Sequence, residues 1–202
     1  MIAYPRTALI SILSAALVTA SVLACAPAAA PRPASAPRAT ESMLTGHEHD
    51  WDWLVGRWNV RHRRLKERLT GSTQWEEFAG SSVTWTTMGG LGTADDNVIE
   101  LPGGTYRAMG IRAFDPKAGQ WSIWWLDARN PTKIEPPVHG GFKDGLGIFE
   151  GDDTLRGKPI KVRFRWTNIT PTSAHWDQAF SPDGGATWEV NWEMDFQRVT
   201  TS

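Results

Sequence analysis

The sequence predicts an all-β domain, an antiparallel up-and-down β-barrel of about ten strands led by a short helical turn. Three observations carry this expectation. Turn signals rich in glycine and proline ("MGGLG", "LPGG", "FDPKAG", "RNP", "KDG", "RGKP", "SPDGG") punctuate the second half of the chain at roughly 8- to 15-residue intervals. The segments between them alternate with period two, as in "IKVRFRW" and "WEVNWEMDFQR", which is the mark of half-buried antiparallel strands. No long window carries helical periodicity; "RRLKERL" reads as a strand end and loop. Many even strands without helices fit either a barrel or a two-sheet sandwich, and the barrel is preferred here for reasons given below.

Residues 1–24, "MIAYPRTALISILSAALVTASVLA", place one arginine before an uncharged apolar run. The run is short and is followed by alanines and prolines, so it reads as a secretory signal peptide rather than a membrane span. The only cysteine, Cys25, closes "SVLAC". This stretch resembles the lipobox of bacterial lipoproteins, which implies cleavage before Cys25 and acylation of its thiol; ordinary cleavage after Ala28 is the rival. Residues 25–46 are rich in Ala, Pro and Ser and read as an extended tether. The expected location is therefore outside the cytoplasm, in the periplasm or cell envelope, with a lipid anchor as the membrane partner. One thiol offers no internal disulfide, so the domain at 47–202 must hold by core burial. A net charge of −1 gives no basic excess to attract nucleic acid. All 12 tryptophans follow residue 50, which suggests an aromatic core or an aromatic-lined cavity.

The domain opens "HDWDWLVGRWNVRHRR". Asp50 is expected to cap the helical turn, with Trp51, Leu54 and Val55 closing one end of the barrel. Strands are expected near 57–64, 73–79, 82–88, 96–101, 105–114, 120–127, 133–142, 146–154 and 159–168, with a terminal hairpin over 173–199. If the strands around 163, 176 and 192 are neighbours, Arg163, Arg165, His175, Asp177, Asn191, Glu193 and Asp195 face outward, with opposite charges across the rungs. Phe164, Trp166, Trp176, Gln178, Phe180, Trp192 and Met194 then face inward. Trp188 and Val190 continue that inward row by simple alternation.

Gly56-Arg57-Trp58, at the start of the first strand, resembles the G-x-W signature of lipocalins. In that family the tryptophan packs under the barrel floor and an arginine from the last strand lies across it. Arg198 occupies that place here, and a guanidinium stacked on an indole is a sound physical pairing. The chain as a whole, over about 49–199, is similar to a group of uncharacterised bacterial lipocalin-like proteins through "DWLVGRWNVRHRRLKERL", "STQWEEFAG" and "QAFSPDGGATWEVNWEMDFQR". The resemblance implies a calycin-type barrel and brings no activity with it. Ser181, Asp183, Gly185, Thr187 and Trp188 also fit the Asp-box, the hairpin motif of sialidase propellers. One copy makes no propeller, so this motif is expected to be a hairpin turn.

Candidate chemistry is sparse. "HEHD" brings His47, Glu48, His49 and Asp50 together at the edge of the domain, but with no clustered third histidine no metal is expected. No nucleophile elbow or phosphate loop is present. Haem would need an axial histidine; His139, beside glycines, and His175 are the candidates, and no cofactor is expected. Asp127 shares its parity with Trp121, Ile123 and Trp125, so it is expected inward and in need of a partner from Arg107, Arg112 or Arg129. The expected ligand-binding lining is Trp85, Trp125, Trp166, Trp176 and Trp192, with Asp127, His139 and Gln178 as polar points. The function this suggests is non-catalytic binding of a small hydrophobic or amphipathic molecule. A barrel enzyme (hydratase, cyclase or isomerase) using an inward acid such as Asp127, and an envelope interaction module with a filled core, are the alternatives.

Overall fold

A computed structural model describes residues 46–200; the expected signal peptide, Cys25 and almost all of the tether lie outside the described residues. Ten antiparallel strands follow one another in order: β1 (Gly56–Leu65), β2 (Trp75–Thr87), β3 (Gly92–Leu101), β4 (Gly104–Asp115), β5 (Gln120–Asp127), β6 (Val138–Lys143), β7 (Leu146–Leu155), β8 (Lys158–Thr167), β9 (Ser173–Ser181) and β10 (Glu189–Arg198). Each pairs with its sequence neighbours, and β10 returns to pair with β1. The sheet is thus a closed up-and-down barrel, which removes free edges. The sandwich alternative is excluded.

The segments expected near 73–79 and 82–88 are a single strand. Gly80 stays in the ladder, paired with Val60 on one side and Ile99 on the other. Its lack of a side chain is what the packing needs: a Cβ there would lie 2.6 Å from the His62 ring and 2.6 Å from the Val98 carbonyl. The expected strand at 133–142 is shorter, because Ile134 makes only an isolated bridge to Leu126 before β6 begins.

The outer face of β8, β9, β10 and β1 carries the charge ladder read from alternation. Arg165 Nη2 lies 3.0 Å from Asp177, His175 Nδ1 2.8 Å from Asp195, and Arg61 and Arg63 2.9 Å from Asp195 and Glu193. The inward row is correct from Phe164 to Met194 but fails at the start of β10. Val190 pairs with Ala179 and Trp192 with Gln178, so Asn191 is an extra, bulged residue. A bulge reverses parity beyond it. Trp188 and Val190 therefore lie on the outer side, where the Arg163 guanidinium sits 4.2 Å above the Trp188 ring. Asn191, expected outward, is instead turned in by the bulge: it is fully buried and accepts a hydrogen bond from Gln178 Nε2 at 2.8 Å.

Ser181–Trp188 forms the tight hairpin expected of an Asp-box. Asp183 accepts from the Thr187 backbone N–H (2.9 Å) and hydroxyl (2.6 Å) and from Ser181 Oγ (2.7 Å). Gly184 and Gly185 take φ of 73° and 100°, a region L side chains disfavour.

One end of the barrel is sealed by the segment before β1. A 3-10 turn at Asp52–Leu54 leads in, and Trp51 and Leu54 are buried. Trp51 packs on Phe149 and Phe142 with ring centroids 5.6 Å and 4.8 Å apart. Asp50 does not cap the turn, which has no side-chain cap; its carboxylate accepts instead from the Trp121 indole N–H at 2.9 Å. Arg198 lies 4.2 Å over the Trp58 ring and donates to the carbonyls of Val55 (2.7 Å), Pro171 (2.6 Å) and Trp53. The guanidinium thus clamps the sealing segment to the last strand while the Trp58 indole N–H bonds the Leu54 carbonyl.

Candidate ligand-binding cup

The hairpin loops at the other end of the barrel surround an inward cup of about 270 Å³. This is slightly below the roughly 300–1,000 Å³ of sites for drug-sized ligands. Strand alternation supplies its walls. Trp125 comes from β5, Phe164 from β8, Trp176 and Phe180 from β9, and Trp192 and Met194 from β10. A wider hollow of about 490 Å³ on the outer wall, at Asn59, His175 and Asp195, is an open groove whose rim charges already bond one another. The cup is the better site because it is the more enclosed of the two and sets an aromatic floor below a charged rim.

Of the residues expected to line a binding site, Trp125, Asp127, Trp176, Gln178 and Trp192 stand around this one cup. Trp166 lies deeper, buried beneath it. Two expectations are corrected. Trp85 points outward and is 42 % exposed, because the unbroken β2 turns Phe78, Ser82 and Thr84 inward and leaves Trp85 on the opposite parity. His139 also points outward: Val138 is the buried member of its strand, and His139 bonds Ser122 Oγ at 2.8 Å on the surface. His175 faces outward as expected.

Asp127 finds its partner two residues along the chain. Arg129 chelates its carboxylate, with Nε 3.0 Å and 3.1 Å from the two oxygens. This bond holds the Asp127 carboxyl below its usual range. Arg107 and Arg112 pair elsewhere, with Asp96 and Asp95. The Arg129 guanidinium also lies 3.7 Å over the Tyr106 ring at the rim. A further rim residue, Arg68, escaped notice in the sequence because it sits in the β1–β2 loop, where no periodicity assigns a face. Its guanidinium rests 5.7 Å and 5.8 Å from the Phe180 and Trp192 rings, and among the described residues no carboxylate forms an ion pair with it. Burial, and then the neighbouring Arg64 charge, lower its pKa.

Below the cup the interior is two-sided. The β7–β10 wall is aromatic: Phe149, Phe164, Trp166, Trp176, Trp192 and Phe196. The β1–β4 wall also buries apolar residues, Phe78, Ile99 and Phe114 among them, but it carries a polar cluster, with His62, Ser82, Thr84, Thr93, Asp95 and Arg112 all buried. Asp95 and Arg112 form an ion pair whose side chains are 4 % and 7 % exposed. Asp95 also accepts from the Gly110 N–H at 2.9 Å and from the Asn97 amide. His62 stacks on Phe78 at 4.9 Å and accepts the Trp192 indole N–H on Nδ1 at 3.2 Å. That bond makes Nε2 the protonated nitrogen of the neutral ring.

This polar wall was legible in part. "GTADDNVIEL" alternates Thr93, Asp95, Asn97 and Ile99 on one side. The polar residues disguise the parity, since alternation is ordinarily read from apolar positions.

Among solved structures, the barrel is similar to the S-type phycobiliprotein lyase CPES from Guillardia theta. The two chains share 10 % identity and a TM-score of 0.52, and the match covers 82 % of this chain and 100 % of that one. No protein-family model and no curated protein matches the sequence. The architecture is thus a lipocalin-like, closed ten-stranded barrel, and at this identity the likeness speaks for the fold alone.

Proposed function

We propose that this protein binds one small hydrophobic or amphipathic molecule, non-covalently and without turnover, while anchored at the cell envelope. The observation that carries the reading is the enclosed cup of about 270 Å³ walled by Trp125, Trp176 and Trp192. Apolar burial supplies most of the binding free energy, at ~25 cal/mol per Å² of apolar surface. Gln178 and the Arg68 and Arg129 guanidiniums orient whatever polar group the ligand carries. The likeness to the structure of a phycobiliprotein lyase is one of fold, and that fold is consistent with binding a small ligand. The enzyme alternative needs an acid free to exchange its proton. Asp127, held ionised by Arg129, is poorly suited to that task.

Native mass spectrometry of protein purified without detergent, joined to tryptophan-fluorescence titration with fatty acids, retinoids and haem, tests the reading. A co-purifying mass, or saturable quenching that Trp176→Ala weakens, is expected. No bound mass and no quenching by any of the three refutes it. The anchor has its own test: Cys25→Ser should move the protein from the membrane fraction to the soluble fraction.

A further inference from the structure

Beneath the cup lies a separate inner chamber of about 50 Å³. Trp125, Phe164, Trp176 and Met194 line both spaces, so these four side chains form the partition between them. Met194 is unbranched and adaptable, and so is the most easily displaced of the four. On the far side the chamber meets the polar wall at His62, Ser82, Asp95, Asn97 and Arg112.

The hydrogen bonding around the chamber is lopsided. The Asp95 acceptors are occupied, by Arg112 on one oxygen and by Asn97 and the Gly110 N–H on the other. Among the described residues, two donors on lining residues have no hydrogen-bond partner: Arg112 Nε and Trp166 Nε1, both on residues that are more than nine-tenths buried. Buried donors are ordinarily satisfied, and leaving one unpaired is costly. The charge is balanced, since Asp95 neutralises Arg112 and His62, with a pKa of about 4, is neutral near pH 7. Spare donors with no spare charge select an uncharged acceptor. A carboxylate there would face the Asp95 carboxylate without a cation of its own. An ammonium would face Arg112 and bring only more donors. The volume suits a small group, since one water takes ~30 Å³ of liquid.

We propose that the inner chamber is a second subsite of the cup, which takes the uncharged carbonyl oxygen of an elongated apolar ligand whose body lies in the cup. This rests on the cup being a binding site, as argued above. The ligand class is therefore a ketone, aldehyde, ester or amide with an apolar chain or ring system. The aromatic wall of β8–β10 takes the body, and the Arg112 and Trp166 donors take the oxygen.

The test is a tryptophan-fluorescence titration with four probes sharing one alkyl chain of about ten carbons: a methyl ketone, a primary alcohol, a carboxylate and a primary ammonium. The ketone should bind most tightly, with the carboxylate and ammonium weaker by about tenfold or more. Asp95→Asn should then reverse the order, because it leaves the Arg112 charge uncompensated; the carboxylate should gain about tenfold over the ketone. The paired replacement Asp95→Leu with Arg112→Met keeps the chamber neutral and apolar, as buried ion pairs tolerate, and should erase the ketone's advantage. A carboxylate or ammonium that binds the wild type as well as the ketone overturns the subsite while leaving the cup intact. Failure of all four probes to bind overturns the cup reading as well. The wild-type series decides the matter even if neither variant folds.

Discussion

Acidification from about pH 7 to pH 4 acts on His62, a histidine buried in the barrel. The ring is 3 % exposed, stacked on Phe78 and committed through Nδ1 to the Trp192 indole. Burial first, and the Arg64 charge second, lower its pKa from 6.5 to about 4. In the unfolded chain the ring protonates near 6.5, while in the barrel it stays neutral until about pH 4. Between those values the unfolded state binds a proton that the native state refuses. The stabilisation is thus complete above about pH 6.5 and is lost as pH falls toward 4. Each pH unit within the window costs up to ~1.4 kcal/mol, so the loss is about 3 kcal/mol in all. Protonation also places a donor on Nδ1 against the Trp192 donor, which breaks that bond. The carboxylates Asp127 and Asp195 have pKa values below 3.8 through their bonds to Arg129 and to His175. Their stabilisation is lost as pH falls through those lower values, so it overlaps only the foot of the window. The assay is urea denaturation at steps from about pH 7 to pH 4, for the wild type and for His62→Gln, whose amide oxygen can still accept from Trp192. The wild type should lose about 3 kcal/mol more than the variant across that range. Parallel curves for the two proteins would show that His62 is not the group responsible.

Three further perturbations test the fold. Arg198→Ala removes the stack on Trp58 and the bonds to three carbonyls; thermal unfolding should show a loss of about 2–4 kcal/mol, with Arg198→Lys recovering only part. Gly80→Ala drives a methyl into the His62 ring and the Val98 carbonyl, which should cost about 1–3 kcal/mol as overpacking and, by moving His62, flatten the pH dependence above. Asp183→Ala removes the acceptor for Thr187 and Ser181; hydrogen exchange should rise at the amides of the β9–β10 turn while the rest of the barrel keeps its protection.

The parts of this fold that were legible in the sequence are those where one kind of side chain marks one face. Strand β8 alternates apolar and basic residues without a break. Its partners β9 and β10 carry the answering charges, so the outer ladder from Arg165 to Asp195 follows from parity and charge complementarity alone. Trp58 and Arg198 were legible for a different reason: Gly56-Arg57-Trp58 resembles the lipocalin G-x-W signature, and that resemblance implies an arginine from the last strand lying across the indole. The misassigned faces of Trp85, Trp188 and Val190 share one cause. Parity survives a strand only if its length is uninterrupted, and small or polar residues hide interruptions in both directions. The strands expected at 73–79 and 82–88 are one continuous strand, and its alternation puts Trp85 outside. "EVNW" looked continuous and holds the Asn191 bulge, which moved Trp188 and Val190 outward.

The same blindness concealed the polar wall. Asp95, Asn97 and Arg112 lie inward on good strands, but a charged residue on a strand is read by default as solvent-facing. That default rests on the cost of burying charge, and here pairing meets the cost in part, with Asp95 and Arg112 neutralising each other. Burying such a pair seldom stabilises a fold, since apolar residues of like volume serve as well or better. Its place on one wall of a small chamber, with the neighbouring donors Arg112 Nε and Trp166 Nε1 unpartnered, therefore points to recognition rather than stability. A barrel that needed only to fold could have extended the apolar core that already includes Ile99, Tyr106 and Phe114 across the positions of Asp95 and Arg112.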